Sequence, residues 1–409
     1  MRTALLSAFK QTDAGELRAG LMLGGRSVLE WQGQLMQSLG CERIICLCET
    51  PGPAILALQR QVECRGTEFH AVRGNLQLVS LIRADDELVM LMDGLLASAD
   101  VVRTFAGEND RLEKAIATVP TANSLVNAWP DDFERIDRDR HWAGLAIMRA
   151  SQVHKLADLP PDSDAMSLLL RLGLQARTEC RDIQTLASED GCWMLASDSD
   201  ALRRRERALI DSVTEALPWT GPGRALAAVL VRRITPRWLE HGAIVSAGIA
   251  AVLLLVGIAF VVGGWDSTGL AATAMGAFVA AVWQTFSDVR AGLWSLDQGR
   301  NGRAIALLKN TLDAAAALTL ILAVGLDARS EGVLSFPALN QPDIALPILA
   351  LGIAHQAALA TTERSAAFWL DRPLHLALFA AAAVGGFLDE AIALFGLGAM
   401  LQLMLHRAR

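Results

Sequence analysis

The stretch AIVSAGIAAVLLLVGIAFVVGG, residues 243–264, contains no charged side chain. A helix needs about 20 apolar residues to cross the hydrocarbon core of a bilayer, because each residue advances it by about 1.5 Å. The stretch therefore predicts a membrane-spanning helix. It also divides the chain by composition, because charged residues concentrate before it and Ala, Leu, Gly, Val and Ile dominate after it.

Five more apolar stretches follow the first one. They cover residues 269–286, 304–325, 344–362, 373–388 and 391–406. The last two are shorter and are typical of a helical hairpin. Small residues are abundant in all six stretches, which permits close helix packing in lipid. The pattern predicts an all-α domain of six transmembrane helices over residues 243–409.

Basic residues are distributed unevenly among the connections of these six stretches. Loops rich in Arg or Lys stay on the cytoplasmic side of a membrane. The Arg-rich segments all fall on one side of the predicted bundle, and their arginines are Arg232, Arg233, Arg237, Arg290, Arg300, Arg303, Arg364, Arg372, Arg407 and Arg409. The alternate connections hold only Arg329. We therefore expect a multi-pass protein of the inner (cytoplasmic) membrane with its N- and C-termini in the cytoplasm.

The bulk composition excludes some classes of protein. The formal net charge is -7 over 409 residues, whereas nucleic-acid-binding domains are usually basic, so we expect no nucleic-acid partner. All six cysteines lie in the polar half and match no zinc-binding spacing, which predicts reduced thiols in a cytoplasmic domain. Met1–Phe9 is too short for a signal peptide and has no cleavage site.

Short apolar runs alternate with helical patterns in residues 1–218. Strands are predicted at residues 3–9, 43–48, 68–72, 87–92 and 114–119, and helices at 27–40, 53–63 and 99–107. This rhythm is typical of βαβ units, in which a parallel sheet carries helices on both faces. The predicted fold is therefore an α/β Rossmann-like domain. Residues 219–242 are predicted to form an amphipathic linker, with a hinge at WTGPGR (219–224).

Two features of this domain are candidates for a ligand site. Asp93 follows the run LVMLM, and ligands of such sheets bind beyond the carboxyl ends of the strands. A carboxylate at that position could hold Mg²⁺ against a nucleotide phosphate. The alternative is a turn, because Asp-Gly commonly follows a strand. Gly24 and Gly25, in LGGRS, precede a predicted helix and could present backbone amides to a bound cofactor.

Lys309 and Asp313 interrupt the apolar stretch at 304–325, and they are spaced i,i+4. Burying an ionisable group in a membrane costs several kcal/mol unless it is paired, so such a residue is a candidate functional site. The alternative is that the two side chains pair with each other, or that the Lys309 ammonium extends to the nearby membrane interface. The residues alone leave both readings open.

The segments GGRSVLEWQGQLMQSLGCERIICL (24–47) and LVMLMDGLL (88–96) resemble the nucleotidyltransferase family of sugar-nucleotide transferases, whose domain is GT-A-like. The resemblance covers residues 1–180. In that family the strand similar to LVMLMDGLL ends in a metal-binding Asp, which implies that Asp93 is a metal ligand. The family's Gly-rich loop after the first strand is replaced here by LLSAFKQTDAGELRAG (5–20).

The segment from Ser287 to Asp313 resembles the signature of the CDP-alcohol phosphatidyltransferase family, which has six transmembrane helices. The signature reads D-x-x-D-G-x-x-A-R, eight residues, and then G-x-x-x-D-x-x-x-D. Aligned without a gap, its fixed positions fall on Asp288, Ala291, Gly292, Ser295, Leu296, Ile305, Lys309 and Asp313. Asp288, Gly292 and Asp313 match the signature. Some members of the family carry a nucleotidyltransferase domain ahead of the membrane domain, which is the order predicted here.

The second resemblance implies roles for these residues. The family's carboxylates bind divalent metal against the CDP diphosphate, and its last Asp activates the acceptor hydroxyl. This implies Asp313 as the catalytic base, and Asp288 and Gly292 as residues that bind substrate or ion, with Asp288 and Asp313 as metal ligands. Lys309 places an ammonium where the family has a carboxylate. It would either pair with Asp288 and Asp313 or bind a substrate phosphate.

Two functions follow from the resemblance. One is a transferase of phospholipid headgroup synthesis that moves a phospho-alcohol from a CDP carrier to a hydroxyl acceptor with Mg²⁺ or Mn²⁺. The other is a catalytically inactive relative without a cofactor, which acts as a partner or regulatory subunit. In both cases the chain resides in the lipid bilayer. The active form would bind a CDP-alcohol and a lipid acceptor, and the family resemblance suggests a homodimer.

Overall fold

A computed structural model describes most of the chain. The described residues are 1–107, 112–160, 163–184, 192–215, 219–238, 242–293, 302–327, 342–360 and 363–407. They form two compact units, one from Met1 to Arg207 and one comprising the described residues from Ala208 onward.

The first unit is an α/β domain, as predicted. Its strands are β1 (Arg2–Ala8), β2 (Met22–Leu23), β3 (Arg26–Ser27), β4 (Arg43–Cys48), β5 (Glu68–Val72), β6 (Glu87–Leu91), β7 (Leu95–Ala97), β8 (Ala115–Pro120), β9 (Arg140–Arg149), β10 (Glu179–Asp182) and β11 (Trp193–Leu195). Seven of them form one sheet in the order β10-β8-β9-β6-β1-β4-β5. The five strands predicted from the sequence correspond to β1, β4, β5, β6 and β8, and all five are confirmed.

Helices connect these strands. They are α1 (Val28–Ser38), α2 (Pro53–Glu63), α3 (Asn75–Leu81), α4 (Ala99–Ala106), α5 (Ser124–Ala128), α6 (Ala165–Gln175) and α7 (Ser199–Glu215), with 3-10 helices at Arg18–Gly20 and Ala150–Asp158. Helix α1 begins with a capping box, in which Ser27 and Glu30 exchange side-chain-to-backbone hydrogen bonds at the first turn. Pro53 begins α2, where its missing N–H is tolerated.

The sheet differs from the prediction in the direction of one strand. Strands β4, β1 and β6 run parallel to one another, as expected, but β9 runs antiparallel between β6 and β8. Apart from its two ends, β9 is buried throughout. A strand buried on both faces is a continuous apolar run whichever way it points, so the sequence pattern carries no information on its direction.

The second unit is helical. Its helices are α8 (Pro222–Trp238), α9 (Gly242–Val262), α10 (Asp266–Leu293), α11 (Gly302–Asp327), α12 (Pro342–Ala360), α13 (Glu363–Trp369), α14 (Arg372–Gly385) and α15 (Leu388–Arg407). Within the described residues, four segments are long and apolar enough to cross a membrane: Gly242–Val262, Asp266–Arg290, Ala306–Gly325 and Leu388–His406. Ala345–Ala360 and Arg372–Gly385 are shorter apolar helices at the predicted fourth and fifth spans. The count of six spans therefore stays a prediction.

Helix α10 is the centre of this unit. It packs against α8, α9, α11 and α14, and 67% of its apolar segment is buried, compared with 28% for α9. The exposed side chains of α9 are mainly large and apolar, including Ile244, Val252 and Leu255. A contiguous apolar surface of this kind is unusual for a soluble protein and suits contact with lipid.

Small residues set the distance between α9 and α10. A Cβ atom on Gly257 would overlap the side chain of Thr273 and would lie 2.9 Å from the Gly269 carbonyl oxygen. A Cβ atom on Gly269 would lie 2.8 Å from the Gly257 carbonyl oxygen. The two glycines thus allow the backbones to approach closely, which is how helices without a water-driven hydrophobic force associate in a bilayer.

We expect Gly257→Ala to destabilise the helical unit by about 1–3 kcal/mol, because the added methyl group overpacks the contact between α9 and α10. Gly248→Ala is the matched control, since no atom lies within 4 Å of a Cβ built there on the same helix. Both changes alter helix propensity alike, so their difference in thermal unfolding in detergent isolates the clash. Equal stability of the two variants would contradict this packing.

Candidate functional site

Asp93 lies just beyond β6, at the carboxyl end of the parallel strands. Its Oδ2 atom accepts hydrogen bonds from the backbone N–H groups of Phe9 at 2.7 Å and Lys10 at 2.8 Å. Phe9 and Lys10 follow β1, the neighbouring strand. The Asp93 carboxylate therefore joins the ends of two adjacent strands. Gly94 follows with a φ of 75°, so the turn expected after this strand is also present.

The second oxygen of Asp93 has no such partner. Asp93 is 3% exposed, and its Oδ1 atom is buried without a hydrogen bond. Burial raises the pKa of the Asp93 carboxyl to about 6, although the amides of Lys10 and Phe9 oppose that rise. An unsatisfied buried carboxylate oxygen is costly to keep, and such oxygens often mark a position where a ligand binds.

Asp93 opens on a cavity of about 760 Å³. Its acidic lining residues are Glu49, Asp93, Asp131, Asp132, Glu134 and Asp164, and its basic ones are Lys10, Arg73 and Arg171. Asp132 fixes the loop after β1, because its Oδ1 lies 2.6 Å from Lys10 Nζ and 2.9 Å from Arg18 Nη1. The sequence analysis singled out Asp93 but not Asp132.

Gly24 and Gly25 do not line this cavity. They form the two-residue turn between β2 and β3, with φ values of 61° and 83°. Both angles lie in the left-handed region that this hairpin turn requires and that glycine adopts without strain. Burial raises the pKa of Glu206, whose carboxylate accepts a hydrogen bond from the Gly24 N–H. A structural turn thus accounts for both glycines.

No three His, Cys, Asp or Glu side chains of the described residues are arranged to hold a metal ion, so the Asp93 site offers one free carboxylate oxygen, Oδ1, to Mg²⁺ or Mn²⁺. Mg²⁺ is often bound by one or two protein carboxylates, while substrate phosphates and waters complete its coordination. Asp93 Oδ1 is a free carboxylate oxygen on a polar cavity, so Asp93 would hold the ion. A cation bound there would neutralise phosphate charge on a nucleotide in the same cavity.

We expect Asp93→Asn to stabilise the protein at neutral pH. Folding raises the pKa of Asp93 from 3.8 to about 6, so ionisation of this carboxyl progressively lowers the stability of the wild type as the pH rises from 3.8 to about 6. The whole shift corresponds to about 3 kcal/mol.

The measurement is thermal unfolding of the full chain in detergent with EDTA. The advantage of the Asp93→Asn variant should grow by about 1 kcal/mol between pH values of about 5 and 7.5. Asp131→Asn is the control, because Asp131 is an exposed carboxylate of the same cavity. An Asp93→Asn advantage that does not change with pH would contradict a buried titrating carboxyl.

A second cavity, of about 560 Å³, lies within the helical unit. Lys309 and Asp313 on α11 both line it, together with Arg224 of α8, Arg372 of α14 and His355 of α12. Lys309 is exposed and Asp313 is partly exposed. The two charges that interrupt the predicted third span therefore open on one cavity.

Asp288 lies near this cavity without lining it. It is exposed on α10, close enough to Lys309 and Arg224 for their charges to act on its carboxyl group. Gly292 lies one turn further along α10. Among the residues that the structure describes, no salt bridge joins Lys309 to Asp288 or Asp313. Ser295 and Leu296, two further signature positions, lie outside the described residues.

The helical cavity does not fit the dimetal site that the family resemblance implied. Within the described ranges, no group of three or more His, Cys, Asp or Glu side chains is arranged to hold a metal ion. The cavity lining contains Arg224, Lys309 and Arg372 but only one carboxylate, Asp313. Within the lining, three cations against one acid disfavour a divalent cation, and Asp288 acts on Lys309 and Arg224 from outside the lining.

Asp371 explains how two of these arginines are positioned. It is fully buried and caps α14, with Oδ1 3.5 Å from the Leu374 N–H, while Oδ2 accepts a hydrogen bond from the Gly223 N–H at 2.7 Å. Asp371 thereby fastens the first turn of α8 to the first turn of α14. Arg224 and Arg372 are the residues next to these contacts. A Cβ on Gly223 would overlap the Asp371 carboxylate, so this glycine is needed for close packing.

Sequence reasoning missed Arg224, Arg372 and Asp371 as members of a site. In the sequence analysis Arg372 served only to predict the orientation of the helices in the membrane, and Arg224 was the last residue of the predicted hinge at 219–224. Arg224 lies far in the sequence from the adjacent residues Asp371 and Arg372, and the three meet only when α8 packs on α14. The one available signal was the pair of glycines in TGPGR, since glycine also occurs where two backbones approach closely.

Comparison with known proteins finds likeness among solved structures alone. No protein-family model and no curated protein matches the sequence. The solved structure of the inositol-1-phosphate CTP transferase from T. maritima is similar to the N-terminal part of this chain, with 13% identity and a TM-score of 0.36. The alignment covers 50% of this chain and 94% of that structure. At this identity and score, the likeness carries no argument about substrate or chemistry.

Proposed function

We propose that the chain is a membrane transferase of phospholipid headgroup synthesis, which moves a phospho-alcohol from a CDP carrier to a hydroxyl acceptor. The observation that supports this proposal is the shared cavity of Lys309 and Asp313, which also receives Arg224 and Arg372. These side chains provide one candidate base and several phosphate-binding groups at one place. Four helices long and apolar enough to span a membrane are consistent with a lipid acceptor.

In the proposed reaction, Asp313 accepts the proton of the acceptor hydroxyl. The hydroxyl oxygen forms a bond to the phosphorus that carries the alcohol, and the bond from that phosphorus to CMP breaks. Lys309 and the two arginines stabilise the negative charge on the transferred phosphate and on the departing CMP. A correctly placed general base contributes about 10²–10⁴ to the rate of such a step.

The N-terminal unit has a separate part in this proposal. Its cavity lies at the carboxyl ends of parallel strands, with Asp93 Oδ1 available to a metal ion and with Arg73 on the lining as a phosphate-binding group, while Lys10 and Arg171 are paired with Asp132 and Glu134. It would bind a metal–nucleotide complex and supply the CDP-alcohol. The Arg-rich connections support a location in the cytoplasmic membrane with both termini in the cytoplasm.

A catalytically inactive relative is the second candidate function. It is favoured by the absence, in the part of the chain that the structure describes, of three clustered metal ligands. Lys309 also stands where the resembled signature has a carboxylate. Such a chain would keep the fold and its cavity and serve as a partner or regulatory subunit of an active transferase.

CMP release distinguishes the two candidates. Purified full chain, given a panel of CDP-alcohols and membrane lipids with and without Mg²⁺ or Mn²⁺, should release CMP. Asp313→Asn should lower that rate by about 10²–10⁴ if Asp313 is the base. Glu390→Gln is the matched control, because Glu390 is an exposed acid of the same unit and does not line the cavity. Absence of CMP under every condition would exclude the transferase and favour the inactive relative.

A further inference from the structure

Three fixed cations converge on the cavity of the helical unit from three different helices. Arg224 comes from α8, Lys309 from α11 and Arg372 from α14. Arg224 and Arg372 are half-buried. None of the three forms a salt bridge with an acid within the described residues. Each side chain is therefore available to a ligand in the cavity.

Three described carboxylates lie at or near the cavity, those of Asp313, Asp288 and Asp371, and one of them lines it. Asp313 is the one acid among the lining residues of the cavity. Asp371, although close to Arg224, directs its oxygens to the backbone amides of Gly223 and Leu374. Asp288 interacts with the charges of Lys309 and Arg224 from outside the lining and is itself exposed. Among the residues that line the cavity, three cations stand against one acid, so the lining itself carries an excess of positive charge.

Positive charge at this position is costly without a partner. The half-buried guanidinium groups of Arg224 and Arg372 lose part of their hydration, and within the described residues neither group forms a salt bridge that would offset this loss. Arg224 and Arg372 also lie in the first turns of α8 and α14, where the helix dipole disfavours a cation. An anion in the cavity would relieve both effects.

Phosphate is the anion that suits these side chains. Guanidinium groups donate paired N–H groups in a geometry that matches phosphate oxygens, and Lys adds a compact point charge. The cavity, at about 560 Å³, also has room for a headgroup attached to the phosphate.

We infer that this cavity binds the phosphate of a phosphorylated headgroup directly through Arg224, Lys309 and Arg372, without a divalent cation. The three side chains take the place of the metal ions expected at such a site. This inference deepens the proposed function and uses the same cavity, but phosphate binding does not require transfer. The ligand phosphate would come from a soluble ester or from a lipid.

The test is binding to the full chain in detergent with EDTA present, in an Asp93→Asn background that disables the proposed N-terminal metal site. The probes are glycerol 3-phosphate for the soluble source and phosphatidic acid in mixed micelles for the lipid source. At least one should bind, and Lys309→Gln should weaken that binding by tenfold or more. Lys309→Arg should largely restore it, because the charge is retained.

Arg233→Gln is the matched control, since Arg233 is an exposed cation of α8 that does not line the cavity. It should leave binding unchanged. Binding that requires added Mg²⁺, binding that Lys309→Gln leaves unaltered, or no binding of either probe would each overturn the inference. Phosphate binding without CMP release would support this inference and count against the transferase, so the two failures are distinguishable.

Discussion

Positive charge inside an apolar helical unit requires compensation. This requirement determines which ligand suits the cavity lined by Arg224, Lys309 and Arg372. Within the described residues these cations have no salt-bridge partner, and Asp313 is the one acid among the lining residues. A divalent cation would add to the repulsion, whereas a phosphate would remove it. Asp313 lies on the same lining as the three cations, where the proposed reaction needs a base. Charge balance is thus the reason for proposing a phosphate ligand in this cavity.

Two other carboxylates, those of Asp371 and Asp93, accept hydrogen bonds from backbone amides of neighbouring elements. Asp371 is fully buried and holds the first turns of α8 and α14 together through backbone amides. Asp93 uses one oxygen in the same way, on the amides after β1, but its other oxygen has no partner. The first carboxylate is structural, and it positions two arginines. Asp93 combines a structural contact through Oδ2 with a second oxygen, Oδ1, that has no hydrogen bond.

The run length and periodicity of apolar residues predicted most of the fold. Strands such as β1 and β6 and helices such as α9 are encoded locally, so a single sequence suffices to find them. The direction of β9 depends on its neighbours and was not predictable. Lys309 and Asp313 stood out because charge is rare in an apolar span. Arg224, Arg372 and Asp371 did not, because their meeting depends on tertiary packing between distant segments.

Manganese binding by electron paramagnetic resonance tests the central claim most directly. The measurement uses the full chain with Asp93→Asn, so that the N-terminal site does not contribute. We predict that no Mn²⁺ binds in a manner that depends on Asp288 or Asp313, because the cavity lining carries three cations and one acid. One bound Mn²⁺ that is lost in Asp313→Asn would contradict the account, since the cavity would then be a metal site.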